Sequence, residues 1–324
     1  MILAGGKGTR LYPLTRYRAK AAVPFLGVYR LIDFVLSNCL HSGLRRVQVL
    51  TQHKSDSLND HIHRGWDLFH PELGGYIKTV PPQQRLSRRW YRGTADAVYQ
   101  NLHMLEREKP DNVLILSGDQ VYRMDYRRLI DGHVERGADV TVASVPRPPD
   151  QATDLGVLQT QDDGRVRAFL EKPDPALLSE SLPAEPVPCS AGIYLFETGV
   201  LVERLIEDIK TNRTHDFGGG ILPHMVERGD KVYGYELGDQ PGSGYWRDVG
   251  TVKNYWQAQM EFLSPEPPFA LDDPDWPTRR MPSTYGPARF AADVEGTASS
   301  VRNSLVCPGA VLRGAQVQHS VIGP

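Results

Sequence analysis

The sequence predicts an α/β fold: a mostly parallel sheet covered by helices, followed by the start of a parallel β-helix. Three observations predict it. Strand-like and helix-like runs alternate from residue 1 to about 263, the pattern of a parallel sheet with helical crossovers. Val113-Leu114-Ile115-Leu116 is a continuous apolar run, as a strand buried on both faces requires. Leu305, Val311 and Val317 recur every six residues, with Gly309 and Gly314 between them. That period belongs to a β-helix.

The elements follow in order. Met1-Ile2-Leu3-Ala4 reads as a strand that enters a loop, Gly5-Gly6-Lys7-Gly8-Thr9-Arg10. A helix over 31–40 puts Ile32, Val35, Leu36, Cys39 and Leu40 on one face, and Gly43 stops it. Val47-Gln48-Val49-Leu50 is a strand, and a polar helix covers about 57–65. A helix over 94–108 carries Ala95, Val98, Leu102 and Leu105 on one face, with Thr94 as its N-cap. A helix over 125–136 and a strand at Val140-Thr141-Val142-Ala143-Ser144-Val145 come next. Short strands are expected at 165–170, 192–196 and 231–237, interrupted by a Pro/Ser/Glu-rich loop at 174–188. A helix over 251–263 closes this unit. The domain reading is 1–263 catalytic, 264–296 a Pro-rich linker, and 297–324 a truncated hexapeptide-repeat β-helix. Seven prolines in 264–288 suit an extended linker. Both ends read as cut: the first strand is short for a central one, and the C-terminus stops inside the repeat.

Composition narrows the class. Of the 324 residues, 40% are hydrophobic and 23% charged, and the formal net charge is −2. No whole-chain field draws the protein to nucleic acid or a membrane. No apolar run approaches the ~18 residues of a membrane helix. The three cysteines, Cys39, Cys189 and Cys307, are too few and scattered for a disulfide framework. They fit reduced thiols in a cytoplasmic protein.

The chemistry starts at the glycine loop. Glycines let backbone N–H groups approach a ligand, and successive N–H groups form an anion-binding concavity. Lys7 and Arg10 add charge, and an Arg binds phosphate through two parallel hydrogen bonds. The spacing is neither a Walker A loop nor a full dinucleotide fingerprint. Asp119 follows the buried strand 113–116, where an unpaired carboxylate is costly. A Mg²⁺ carrying nucleotide phosphates would satisfy it; a turn or capping role is the plain alternative. Asp248, in Tyr245-Trp246-Arg247-Asp248-Val249-Gly250-Thr251, offers a second metal ligand or a simple N-cap. Lys20 lies among small residues and can aim a point charge at phosphate, or sit solvated. Glu171-Lys172-Pro173 offers a carboxylate for sugar hydroxyls beside a cation. Gln83-Gln84-Arg85 and Trp90-Tyr91-Arg92-Gly93-Thr94-Ala95-Asp96 flank a helix start, a natural anion site. No nucleophile triad and no Cys/His zinc spacing stand out.

These motifs, together with Ile32-Asp33-Phe34-Val35-Leu36-Ser37-Asn38, Ser190-Ala191-Gly192-Ile193-Tyr194 and His215-Asp216-Phe217-Gly218, give residues 1–263 a resemblance to the sugar-1-phosphate nucleotidyltransferases. The motifs at 91–96, 215–218 and 245–251 resemble the ADP-glucose-forming branch of bacterial glycogen synthesis. The resemblance implies a Rossmann-like nucleotide-diphospho-sugar transferase sheet followed by a left-handed β-helix. It implies transfer of an adenylyl group from ATP to glucose 1-phosphate, with Mg²⁺, in a cytoplasmic protein that is a homotetramer when full length. Arg10, Lys20 and Asp119 would be catalytic. Leu3, Ala4, Gly5, Gly6, Gly8, Thr9, Gln83, Gln84, Gly93 and Thr94 would bind the nucleotide. Tyr91, Gly156, Glu171, Lys172, Ser190 and Asp216 would bind glucose 1-phosphate. Asp119 and Asp248 would hold the metal. One departure is Ala21, where the family usually has a proline. The competing readings are a uridylyl- or thymidylyltransferase and a non-catalytic regulatory subunit of the same fold.

Overall fold

The computed structural model describes residues 1–83, 85, 89–174, 186–211, 214–238 and 244–324. The chain opens with β1 (Ile2–Ala4) and passes through a small hairpin, β2 (Pro24–Phe25) and β3 (Tyr29–Arg30). Strands β4 (Arg46–Thr51), β5 (Tyr76–Val80), β6 (Asn112–Ser117), β7 (Gln120–Tyr122) and β8 (Val140–Arg147) follow. Then come β9 (Gly156–Thr160), β10 (Val166–Glu171), β11 (Val187–Glu197), β12 (Val232–Glu236) and β13 (Trp246–Asp248). Among the described residues nine of these form one sheet, with the path β10-β9-β11-β6-β1-β4-β5 and β8 pairing both β11 and β12.

The sheet has two characters. β1 is parallel to β4 and β6, and β4 is parallel to β5. The half built on β11 is antiparallel to β6, β8 and β9. Three residues suffice for β1 because both its edges are paired and Ile2 is fully buried. Neighbouring residues on one strand point to opposite faces. Accordingly Val49 and Leu116 pack with Ile32, Val35 and Leu36 on one side. Leu50 and Ile115 pack with Val98, Phe196 and Leu205 on the other. Each fully buried side chain of this kind contributes roughly 1.5–3 kcal/mol.

Most helices sit where periodicity puts them: Leu31–His41, Asp56–Gly65, Tyr126–Arg136 and Val252–Glu261. The single helix expected over 94–108 is instead two, Thr94–Tyr99 and Leu102–Glu108. Asn101 breaks it. Its amide donates to the Ala97 carbonyl and the Tyr91 hydroxyl, so a side chain competes with the backbone for the helix acceptors.

The Pro-rich stretch after residue 263 is a docked strap rather than a free spacer. Asp273 pairs with Arg123 at 2.7 Å, Trp276 Nε1 donates to Asn38 Oδ1, and the Arg279 amide donates to Ser37 Oγ. Phe269 is buried against Phe34 and Phe262. Six short strands follow: β14 (Arg289–Ala291), β15 (Ser300–Arg302), β16 (Leu305–Val306), β17 (Val311–Arg313), β18 (Gln316–Gln318) and β19 (Val321–Ile322). They pair in parallel as β14-β17, β15-β18 and β16-β19, the stacked faces of a β-helix. The six-residue spacing marks successive faces, but on β17 the buried residue is Leu312, while Val311 is half exposed. Adjacent strand residues face opposite ways, so the period alone did not give the inward one.

Candidate active site

The glycine loop leaves β1 over the carboxyl ends of the parallel strands, where α/β sheets hold their ligands. Two glycines are there for space and conformation. A Cβ on Gly5 would lie 3.1 Å from Gln52 Cβ. Gly8 has φ +62, and a Cβ there would press on Thr15 and on Lys20. The Thr15 hydroxyl donates to the Gly8 carbonyl at 2.8 Å and pins the loop.

Three sequence-distant charges converge beneath it. β13 pairs with β7 so that Asp248 lies opposite Gln120, beside the turn that carries Asp119. Lys20 Nζ sits between them, 2.7 Å from Asp119 Oδ2 and 3.1 Å from Asp248 Oδ1. The Ser117 hydroxyl donates to Asp119 Oδ1 at 2.6 Å. Burial by itself would lower the Lys20 pKa, but the two carboxylates outweigh it and the value is raised. Burial would raise that of Asp119, but Lys20 and the Ser117 hydroxyl outweigh it and the value is lowered. Arg10 and Asp248 both lie against Gly250.

A cleft of about 660 Å³ opens beside this group. Of the residues expected to act, Leu3, Gly5, Gly6, Tyr91, Gly93, Thr94, Asp119 and Asp216 line it. Lys7, Trp90 and Arg92, from the motifs singled out in the sequence, line it too, as do Gln52 and His53, which sequence reasoning missed. Gln52 and His53 immediately follow β4, and their place at a carboxyl strand end is the signal that could have found them. Gln52 Oε1 accepts the Tyr91 amide at 2.8 Å. His53 stacks on Trp90 with ring centroids 5.4 Å apart. Burial, then Lys7 and Lys54, lower the His53 pKa.

One expected residue lies away from the cleft, and one expectation needs correction. Gln83 is exposed and donates to the Pro81 carbonyl, outside the lining of the cleft; Gln84 lies outside the described residues. Thr94 is not an N-cap. Its hydroxyl donates to Asp216 Oδ2 at 2.8 Å and accepts from the Phe217 amide. The first helical N–H groups, of Ala95 and Asp96, go instead to the His215 carbonyl.

The residues expected to bind glucose 1-phosphate, Tyr91 apart, gather around Glu171. β9 and β10 set Gly156 opposite Glu171. A Cβ on Gly156 would lie 2.4 Å from the Phe169 ring and 3.1 Å from Glu171 Oε2, and one on Gly218 2.6 Å from the same oxygen. Both glycines therefore clear room for this carboxylate. Lys172, at φ +45, pairs with Glu171 at 3.1 Å and is otherwise largely exposed. Asp216 Oδ1 accepts the Gly218 and Gly219 amides. Ser190 precedes a bulge in β11 that ends at Ile193, and the Gly192 amide donates to its hydroxyl. Burial pushes the nearby Tyr194 phenol well above its ordinary value, with the Asp216 and Glu171 charges adding to it.

Two carboxylates meeting on one ammonium are a donor set that suits a divalent cation. Mg²⁺ takes one or two carboxylates and completes its shell with water and phosphate oxygens. Among the described residues no group of three or more His, Cys, Asp or Glu gathers to hold a metal, so substrate oxygens would have to complete the shell. The arrangement has cations, an acid pair and a glycine loop. That is equipment for binding and transferring a phosphoryl-type group.

Fold and site together define a nucleotide-binding α/β transferase. The family model described as Nucleotidyl transferase matches residues 1–264, and one described as GlmU-like, C-terminal hexapeptide, matches 286–324. Glucose-1-phosphate adenylyltransferase 2 of Vibrio parahaemolyticus is 45% identical over 329 residues, covering 99% of this chain and 80% of that protein. Glucose-1-phosphate adenylyltransferases of Hydrogenovibrio crunogenus and Methylococcus capsulatus are 43% and 45% identical, each across 99% of this chain and 76% of theirs. The chain belongs to the nucleotidyl transferases, and within them to the glucose-1-phosphate adenylyltransferase family. Among the described residues no helix is long and apolar enough to cross a membrane.

Proposed function

We propose that the chain transfers the adenylyl group of ATP to glucose 1-phosphate, giving ADP-glucose and pyrophosphate for glycogen synthesis. The observation that carries this reading is Lys20 held between Asp119 and Asp248 at the mouth of the glycine loop. A phosphate oxygen of glucose 1-phosphate attacks the α-phosphorus of ATP. The bond from that phosphorus to the bridging oxygen breaks, and pyrophosphate leaves with the electron pair. The attacking oxygen is already ionised, so no base is needed. The work is positioning two anions and offsetting their repulsion.

In this scheme the loop N–H groups from Gly5 to Thr9, with the main chain at Leu3, Ala4, Gly93 and Thr94, hold ATP. Arg10 faces the departing pyrophosphate, and Lys20 offsets phosphate charge. Tyr91, Gly156, Glu171, Ser190 and Asp216 hold the sugar, with Lys172 on its phosphate. Asp119 and Asp248 would hold Mg²⁺, which supplies charge neutralisation on the phosphates when bound. The division into a catalytic unit (1–263), a strap and a β-helix belongs to the same proposal, as do a cytoplasmic location and, for the protein at full length, a homotetramer. Light scattering on the eluting protein checks the last.

The test supplies glucose 1-phosphate with each nucleoside triphosphate and follows pyrophosphate release. ATP should be turned over fastest. Faster release with UTP or dTTP would reject the adenylyl assignment. Ligand binding without turnover would favour a regulatory subunit.

A further inference from the structure

His215 and Asp208 play no part in the scheme above, yet they are built into its foundation. Asp208, on the helix Thr198–Thr211, is 3% exposed, and His215 is 6% exposed. The His215 Nδ1 atom lies 2.9 Å from Asp208 Oδ2. A carboxylate so deeply buried is tolerated only with a partner. His215 has φ +60, a left-handed conformation that is costly for a non-glycine residue. Something must hold it there, and the bond to Asp208 does so.

That conformation aims three groups. The His215 carbonyl turns toward the helix Thr94–Tyr99 and accepts the Ala95 amide at 3.0 Å. The next residue, Asp216, grips the Thr94 hydroxyl on one side and the Gly218 and Gly219 amides on the other. Those glycines lie in a π-helical turn, Phe217–Ile221, a rare geometry that is frequent at functional sites. The turn is a wedge. A Cβ on Gly218 would strike Glu171 Oε2 at 2.6 Å, while one on Gly220 would strike Thr214 Oγ1 at 2.4 Å and lie 3.4 Å from Asp208 Oδ1. One face of the turn thus leaves no room for a side chain beside Glu171, and the other leaves none beside Thr214, next to Asp208.

We infer that His215 and Asp208 are positioning residues for the sugar-phosphate side of the site. Neither touches substrate. The pair locks the 214–221 turn, and the turn sets where the carboxylates of Asp216 and Glu171 stand. The inference rests on the reading of Glu171 and Asp216 as the glucose 1-phosphate side.

The test compares steady-state constants of the full chain and three variants. His215→Ala removes the anchor. His215→Asn keeps a donor near the Nδ1 position and tolerates positive φ. Gly220→Ala pushes the turn without leaving a charge unpaired. His215→Ala and Gly220→Ala should raise the KM for glucose 1-phosphate by about 10-fold or more, as a small misplacement does. The KM for ATP should rise less: the same turn also holds the Thr94 hydroxyl and the Ala95 amide, but it lies directly against Glu171. His215→Asn should restore most of the loss. A lower melting temperature with both KM values unchanged would reduce the pair to a fold-stabilising role, and a rise in the KM for ATP alone would move it to the nucleotide side; either overturns the inference. If His215→Ala does not fold, Gly220→Ala decides on the same comparison. A wild-type chain that makes no ADP-glucose overturns the assignment of the sugar side, and this inference falls with it; an active wild type with unshifted variants overturns this inference alone.

Discussion

Lys20 and Asp119 form an ion pair of 2.7 Å at the mouth of the glycine loop, with side chains only 13% and 25% exposed. The pair holds a cation where phosphate charge would arrive, and Asp248 shares it at 3.1 Å. Asp119→Asn keeps the shape and removes the charge. Turnover with ATP and glucose 1-phosphate should fall by at least about 100-fold, the usual cost of losing one preorganised electrostatic group. Stability should change by no more than about 1 kcal/mol, because Asp248 still pairs with Lys20. Unchanged turnover in a folded Asp119→Asn protein would take Asp119 out of the chemistry.

The same pair sets a pH window for stability. Asp119 has a lowered pKa, so its contribution is present above the unfolded value of about 3.9 and is lost as pH falls through the lowered one. Lys20 has a raised pKa, so its contribution is present below the unfolded value of about 10.4 and is lost as pH rises through the raised one. Between those limits the pair's contribution should be flat. Urea unfolding across pH checks it: Lys20→Met should show a shallower loss of stability in acid than the wild type. Identical acid limbs would mean the pair contributes nothing.

Asp33 illustrates a motif whose polar residues serve the framework. It is fully buried, and its carboxylate meets His61 Nε2 at 2.6 Å, Trp66 Nε1 at 2.8 Å and the Arg30 amide at 2.8 Å. Asp33→Ala leaves those donors buried without their acceptor and should cost about 3–5 kcal/mol. The KM values of whatever protein remains folded should be unaltered. A cost below about 1 kcal/mol, read by denaturant unfolding, would show that the three contacts are incidental.

Much of this was legible in the residues, for a physical reason. Apolar runs such as 113–116 mark strands, and charged or glycine-rich segments at their carboxyl ends mark the crevice, so Gly5 and Asp119 were placed there from local pattern, whereas Lys20, which local pattern left open as a solvated lysine, came from motif resemblance. The branch of the family came from motif resemblance rather than from periodicity. What local pattern could not show depends on contacts between distant segments. The β13-β7 pairing that brings Asp248 to Asp119 is one case. The Asn101 amide that breaks the helix expected over 94–108 is another. The strap looked like a spacer because prolines dominate it, but Phe269 and Trp276 find partners on the helix Leu31–His41. Thr94 looked like a cap, yet the acceptor for its helix comes from His215, far along the chain.

The β-helix meets the catalytic unit at another such contact, and this one can be broken selectively. Gly27 turns the β2-β3 hairpin at φ +75, and a Cβ there would lie 2.3 Å from Cys307 Sγ. The Cys307 thiol donates to the Leu26 carbonyl, and the Leu26 amide is held by Gln259 Oε1. Gly27→Ala therefore adds two costs: about 1–2 kcal/mol for an alanine at positive φ, and roughly 1–3 kcal/mol for overpacking against the sulfur. The β-helix should loosen, and limited proteolysis within the strap at 264–288 should speed up. Cys307→Ala removes the sulfur, so the double variant should recover the overpacking part and keep the backbone part. In a double-mutant cycle that recovery is a coupling of about 1 kcal/mol or more. Strictly additive losses, or proteolysis no faster than in the wild type, would mean that the hairpin does not hold the β-helix.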